Sequence, residues 1–239
     1  SDSIFPRTDI KGGVSIILHD KGKKIGPIGT FTAYPQLNQI LKKVSPHISK
    51  NGLTDIIYVQ NKFDLLVLNK AFPNNTRSDK RLESNIFSKY SIFTKNKEND
   101  DQIKVIGLIN NKRLFRFIDK KYLDLSHPNL FKYKVLVPKS NGSGALGEVL
   151  STPLIGEPLI GYTRSFIGIG AFDNRNEAEN LMKYIKSKFA RTMLGVLKVT
   201  QDNNADKSRL ATMQDFTNKS YNKKKKSISE IDQQLYKKY

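Results

Sequence analysis

Residues 175–199 constrain the fold more than any other part of the chain. Ala178, Leu181, Met182, Ile185, Phe189, Met193 and Val196 recur there with the 3.6-residue period of an α-helix. A helix with such a stripe must lay it against other elements. Asn174 stands at the N-cap position, with Glu177 three residues on as its capping-box partner. Glu177 and Glu179 also put negative charge at the positive end of the helix dipole. The cover must come from upstream, where short apolar runs alternate with turn residues. Residues 53–59, 63–68, 103–109, 113–118, 133–137 and 165–169 read as strands, with a further piece around Leu159-Ile160. Asn110-Asn111-Lys112 predicts a tight hairpin, because Asn tolerates positive φ. Residues 34–44 carry Leu37, Ile40, Leu41 and Val44 at helical spacing, and Pro46 is expected to end that helix. Residues 14–18 read as one more buried strand behind Gly12-Gly13. The expected class is α+β: mixed or antiparallel strands, a long C-terminal amphipathic helix and a short helical tail.

Charge narrows the set of partners. The chain has 41 Lys+Arg against 22 Asp+Glu, a net charge of +19. A field of that sign and size attracts polyanions, nucleic acid first among them. No apolar run approaches the roughly 18 residues of a spanning helix, so no membrane partner is expected. There is no cysteine, which excludes disulfides and thiolate metal sites. His19, His47 and His127 have no second ligand at i+3 or i+4. No Ser/His/Asp set, paired carboxylates or nuclease-like acid–lysine cluster can be assembled. The start, Ser1-Asp2-Ser3-Ile4-Phe5-Pro6, lacks Met and lacks a basic stretch before an apolar core. It reads as an internal cut through a longer protein, with a cytoplasmic location by default.

Two groups of residues have binding chemistry. In the loop 138–144, Lys139 can meet a phosphate, while Ser140, Asn141 and Ser143 offer side-chain hydrogen bonds. Gly142 and Gly144 let backbone amides approach a ligand. On the helix at 175–199, Lys183, Lys186, Arg191 and Lys198 fall opposite the apolar stripe with no acid among them. Such a ridge suits a phosphate backbone, or simply a solvated face. Gly142 to Gly147 also spells a dinucleotide fingerprint. Pro153 and Gly156 follow before any helix can form, and no acid stands about 20 positions on, so that reading is set aside. The segment 74–101 is polar around an aromatic island of Phe87, Tyr90 and Phe93, and is expected to be a variable insertion.

A family resemblance spans residues 133–239. Its core is Tyr133-Lys134-Val135-Leu136-Val137-Pro138-Lys139-Ser140-Asn141-Gly142-Ser143-Gly144, then Gly147-Glu148-Val149-Leu150-Ser151-Thr152-Pro153. It continues through Thr163-Arg164-Ser165-Phe166-Ile167, Glu177-Ala178-Glu179-Asn180-Leu181 and Gln214-Asp215-Phe216-Thr217. These stretches resemble the C-terminal specificity region of adenine-specific DNA methyltransferases from restriction–modification systems. Phe5-Pro6 and Asp9 to Val14 are similar to the last strand pair of that family's catalytic core. Where the family pattern has Trp or Pro, this chain has His19, Ser208, Lys224 and Thr212.

The resemblance implies three parts: residues 1–24 as the end of a methyltransferase core, 25–200 as a DNA target-recognition domain, and 201–239 as a basic helical tail. Duplex DNA would be the ligand, and Lys139, Ser140, Asn141, Ser143, Arg164, Lys183, Lys186 and Arg191 are the residues expected to bind it. A catalytic domain, upstream or on a separate chain, would be the partner. S-adenosylmethionine would serve that parent enzyme, which can also carry a nuclease, and no cofactor is expected in this chain. Phe166 to Gly170 matches the glycine-rich turn that holds S-adenosylmethionine in such enzymes. The Asn/Asp-Pro-Pro-aromatic tetrad that must accompany it is absent from the sequence, so the chain by itself is expected to be catalytically inactive. A free-standing specificity subunit and a general basic nucleic-acid-binding protein are the alternatives.

Overall fold

A computed structural model describes residues 17–24, 29–32, 34–48, 52–140, 152–198, 202–203, 205–217 and 226–239. Among the described residues, seven strands form two sheets. In chain order these are β1 (Ile57–Tyr58), β2 (Gln102–Ile109), β3 (Lys112–Asp119), β4 (Tyr133–Pro138), β5 (Leu154–Gly156), β6 (Ile160–Tyr162) and β7 (Phe166–Phe172). The first sheet is antiparallel throughout, in the order β1-β7-β4-β5. The second has the order β3-β2-β6, with β2/β3 antiparallel and β2/β6 parallel. The fold is α+β with mixed strands.

The period-2 geometry of β4 divides its apolar residues between two cores. Val135 and Val137, with Ile167 and Ile169 of β7, face a helical layer. That layer contains α1 (Pro35–Ile48), α4 (Arg175–Lys186), α5 (Lys188–Leu197) and α6 (Ile228–Lys238). Leu136 and Phe166 face the other way and meet Ile106 and Tyr162, which ties the two sheets together. A third cluster gathers Leu82, Ile86, Tyr90 and Phe93 with Phe63, Leu68, Ile103, Val105 and Ile118. Residues 74–101 therefore supply a core wall, including the short helix α3 (Ile86–Lys89), and are not a peripheral insertion.

The hairpin forms as the sequence predicts. β2 and β3 pair from Gln102↔Asp119 to Ile109↔Lys112, and Asn110 and Asn111 turn the chain at φ 49° and 58°. Two consecutive positive φ values give a turn whose twist matches the flanking strands.

Other segments depart from expectation. The helix expected over 175–199 is two helices broken at Ser187, so no long C-terminal helix is seen among the described residues. Ser187 is extended (ψ 153°), and its Oγ accepts from the Ala190 amide. Asp232 of α6 accepts from the Phe189 amide at 3.1 Å. These two acceptors satisfy amides that a continuous helix would have bonded internally. Pro46 lies inside α1, which runs on to Ile48; the carbonyl deprived of its donor belongs to the exposed Lys42.

Residues 53–56 form a 3-10 turn, and only Ile57–Tyr58 is strand. The Leu53 amide is held by the Ala211 carbonyl and the Thr54 hydroxyl by the Ala205 carbonyl, so tertiary contacts override the local pattern. The strand expected over 63–68 is instead α2 (Leu65–Ala71), capped by Asp64, whose carboxylate accepts from Leu66 N and Val67 N. Residues 14–16 lie outside the described residues; Ile17 and Leu18 are exposed and not in a strand.

Candidate nucleic-acid interface

The end of β4, the start of β7 and the hairpin turn converge on a cleft of about 780 Å³. Its walls include Lys139, Ser140 and Arg164, three of the residues singled out in the sequence, which lie up to 25 positions apart. The backbone sets Lys139 firmly. Its amide donates to Ser165 O at 2.9 Å, and its carbonyl accepts from Asn203 N at 2.6 Å. Asn203 Nδ2 adds a bond to Pro138 O at 3.0 Å. Residues 202–203 thus lie along the end of β4, with Ser140 bridged to Asp202. The Lys139 ammonium takes part in no ion pair among the described residues. Arg164 is anchored by its amide on Leu82 O, and its guanidinium donates to Glu83 Oε2 at 3.1 Å. It keeps further N–H donors for a ligand. Asp202 is the one acid among the described lining residues.

Across the cleft stand Asn85, Asn110 and Asn111. Their side-chain amides are exposed and have no hydrogen-bond partner among the described residues. Sequence reasoning placed Asn110 and Asn111 as turn formers only and passed over Asn85. Asn141 and Ser143 lie outside the described residues, as does the fingerprint-like run 142–147.

Lys183, Lys186 and Arg191 do not join this cleft. They belong to the helical layer, which covers the face of the first sheet opposite the hairpin. The break at Ser187 separates Lys186 from Arg191, and the Arg191 Nε turns back onto Ser187 O at 3.4 Å. Lys198 is buried, not on a solvent-facing ridge. The uniform basic face expected there is accordingly interrupted.

Beneath the cleft, the sheet junction holds a buried polar network. Lys134 is fully buried, and its Nζ donates to the carbonyls of Asn129 (2.9 Å), Leu130 (3.3 Å) and Glu157 (3.0 Å). Burial pushes its ammonium down to about 7. Asn129 Nδ2 reaches Tyr162 Oη and Gly170 O, both at 3.3 Å. Burial raises the Tyr162 phenol above its ordinary value and lowers His127, whose Nε2 lies 3.0 Å from Val59 O. Lys134, Asn129, Tyr162 and His127 thus each have a partner within the fold.

Phe166 to Gly170 lies within β7, a central strand paired on both sides. A Cβ at Gly168 would collide with Tyr162 Oη and Asn129 Nδ2. Gly168 there admits a buried network, and the segment is strand where the resemblance implies a turn. Among the described residues no group of His, Asp and Glu is placed to hold a metal, and no helix is long and apolar enough to cross a membrane. No family model matches the chain, and no curated protein does.

Proposed function

We propose that this protein recognises a specific sequence in duplex DNA, on behalf of an adenine methyltransferase domain upstream or on a separate chain. The carrying observation is the cleft in which Lys139 and Arg164 face the three unpartnered amides of Asn85, Asn110 and Asn111. Contacts from cations to phosphates fix the register of a protein on DNA, but carry no base information. Asparagine amides carry it, since one amide can pair bidentately with adenine N6 and N7 in the major groove. That groove also admits a two-stranded β-ribbon, which is the form of the hairpin over residues 107–114, beyond the pairing of β2 with β6. The charge of +19 supplies the sequence-independent attraction, to which Lys183 and Lys186 contribute as part of the general field.

The test uses substitutions that the turn tolerates. Asn110→Gly and Asn111→Gly delete the amides while keeping residues that accept positive φ. In competition binding over a randomised duplex library, each bidentate amide lost should cost about 1–3 kcal/mol on the preferred site and far less on random DNA. Lys139→Ala should weaken all sequences by a similar factor. A double glycine variant that retains the full sequence preference removes the hairpin turn from base reading.

A further inference from the structure

We infer that the exposed β3 edge of the β2–β3 hairpin holds an unpaired nucleotide, its base stacked on Phe115 and its backbone drawn by Lys104. The inference rests on the protein being a nucleic-acid binder, but not on its reading a duplex sequence.

Phe115 and Phe117 are two apart on β3, so they share one face of the hairpin. β3 is an edge strand, and Phe115 is 41% exposed. Neither ring belongs to any of the three core clusters or to the apolar residues packed against them. Phe115 is thus an exposed ring outside every core, beside the half-buried Phe117.

Lys104 sits directly across from Phe117, and its Nζ lies 6.0 Å and 5.9 Å from the centroids of Phe115 and Phe117. It makes no ion pair among the described residues. On the face of Phe115 and Phe117 the hairpin carries Lys104 and Arg113 against Asp119 alone, and Asp119 is paired with Lys121. The surface is thus aromatic and cationic together.

Charge complementarity selects a polyanion with flat, apolar faces, which a single-stranded segment or an extruded base provides. Every base has a π-face, so stacking on such a ring is sequence-tolerant, and a lysine beside it can follow the backbone. A base inside an intact duplex already stacks on both sides and has no face to offer.

The test places 2-aminopurine in a short single strand, in an unpaired bulge of a duplex, and in the same duplex fully paired. Stacking on Phe115 should quench the fluorophore in the first two substrates. Phe115→Ala should reduce affinity for both on the order of tenfold and leave the paired duplex unchanged. Phe115→Trp should keep binding and quenching. Lys104→Gln should weaken the unpaired substrates a few-fold and flatten their salt dependence by about one charge. Thermal melting of each variant controls for folding. If Phe115→Ala melts early, Phe115→Leu, which keeps apolar bulk without a ring face, takes its place. Equal binding of unpaired substrates by wild type and the ring-deleted variant overturns the inference, as does the absence of quenching. Binding of unpaired strands through Phe115 without binding of the paired duplex would uphold the inference and overturn the duplex reading. Binding of neither overturns both.

Discussion

Lys134 makes a sharp pH prediction. In the folded chain the amine is fully buried and pushed down to about 7, while the unfolded chain keeps the ordinary 10.5. Between those two values the unfolded chain holds a proton that the folded chain does not. Stability therefore rises with pH through that window, because the state that must be avoided is the one binding more protons. Integrating the linkage from pH 7 to pH 9 with these two values gives about 2 kcal/mol. Three carbonyl acceptors on Nζ favour the ammonium, so that figure is an upper end.

Other groups titrate in the same range, and the variant Lys134→Met isolates this one. Urea unfolding of both proteins at pH 7, 8 and 9 should show the wild-type free energy climbing relative to the variant by up to about 2 kcal/mol. The readout is the difference in slope, so a uniform loss of stability in Lys134→Met does not disturb it. Parallel curves would refute the reasoning: Lys134 would then be an ammonium throughout, held by its three carbonyls.

Three further predictions follow from packing and charge. Gly168→Ala drives a methyl group into Tyr162 and Asn129, and should cost at least about 1–3 kcal/mol in denaturant unfolding. Asp232→Ala leaves the buried Phe189 amide without its acceptor and should cost about 1–3 kcal/mol, seen as a lower melting temperature; Asp232→Asn, which keeps an acceptor oxygen, should recover part of it. Engagement of about six phosphates should give a log–log salt slope near −5 for duplex binding, and Lys139→Ala should flatten it by about one unit; a salt-independent affinity would refute the polyanion argument.

The hairpin was legible because its signal is local: an Asn-Asn pair at positive φ between two alternating runs determines both turn and register. The apolar stripe over 175–199 was legible too, and Ala178, Leu181, Ile185, Phe189 and Met193 are all buried. Its interruption was not, because the deciding acceptor, Asp232, stands 43 residues from the amide it binds. Residues 63–68 illustrate a different failure. A short apolar run has no period to separate strand from helix, and Asp64 as an N-cap was the cue that would have decided it. For the candidate site, Lys139, Ser140 and Arg164 could be named from residue type and resemblance. That they face Asn85 and the hairpin turn depends on how one sheet packs on the other through Ile106, Leu136, Tyr162 and Phe166, which no local pattern encodes.

The packing of α6 has a consequence for how the chain matures on the ribosome. Ile231 and Leu235 complete the same core that Leu37, Leu41 and Val44 of α1 enter, and Tyr239 meets both Phe189 and His47 by ring contacts of 5.1 Å and 5.2 Å. Elements made first and last in this stretch thus close on one another. While residues 228–239 are still in the exit tunnel, the helical side of the first sheet has an open seam and α5 has an unbonded amide at its start. The second sheet, whose cluster draws only on residues 63–130, has no such dependence. It can consolidate during synthesis, whereas the layer containing α1, α4 and α5 must wait for α6 to emerge.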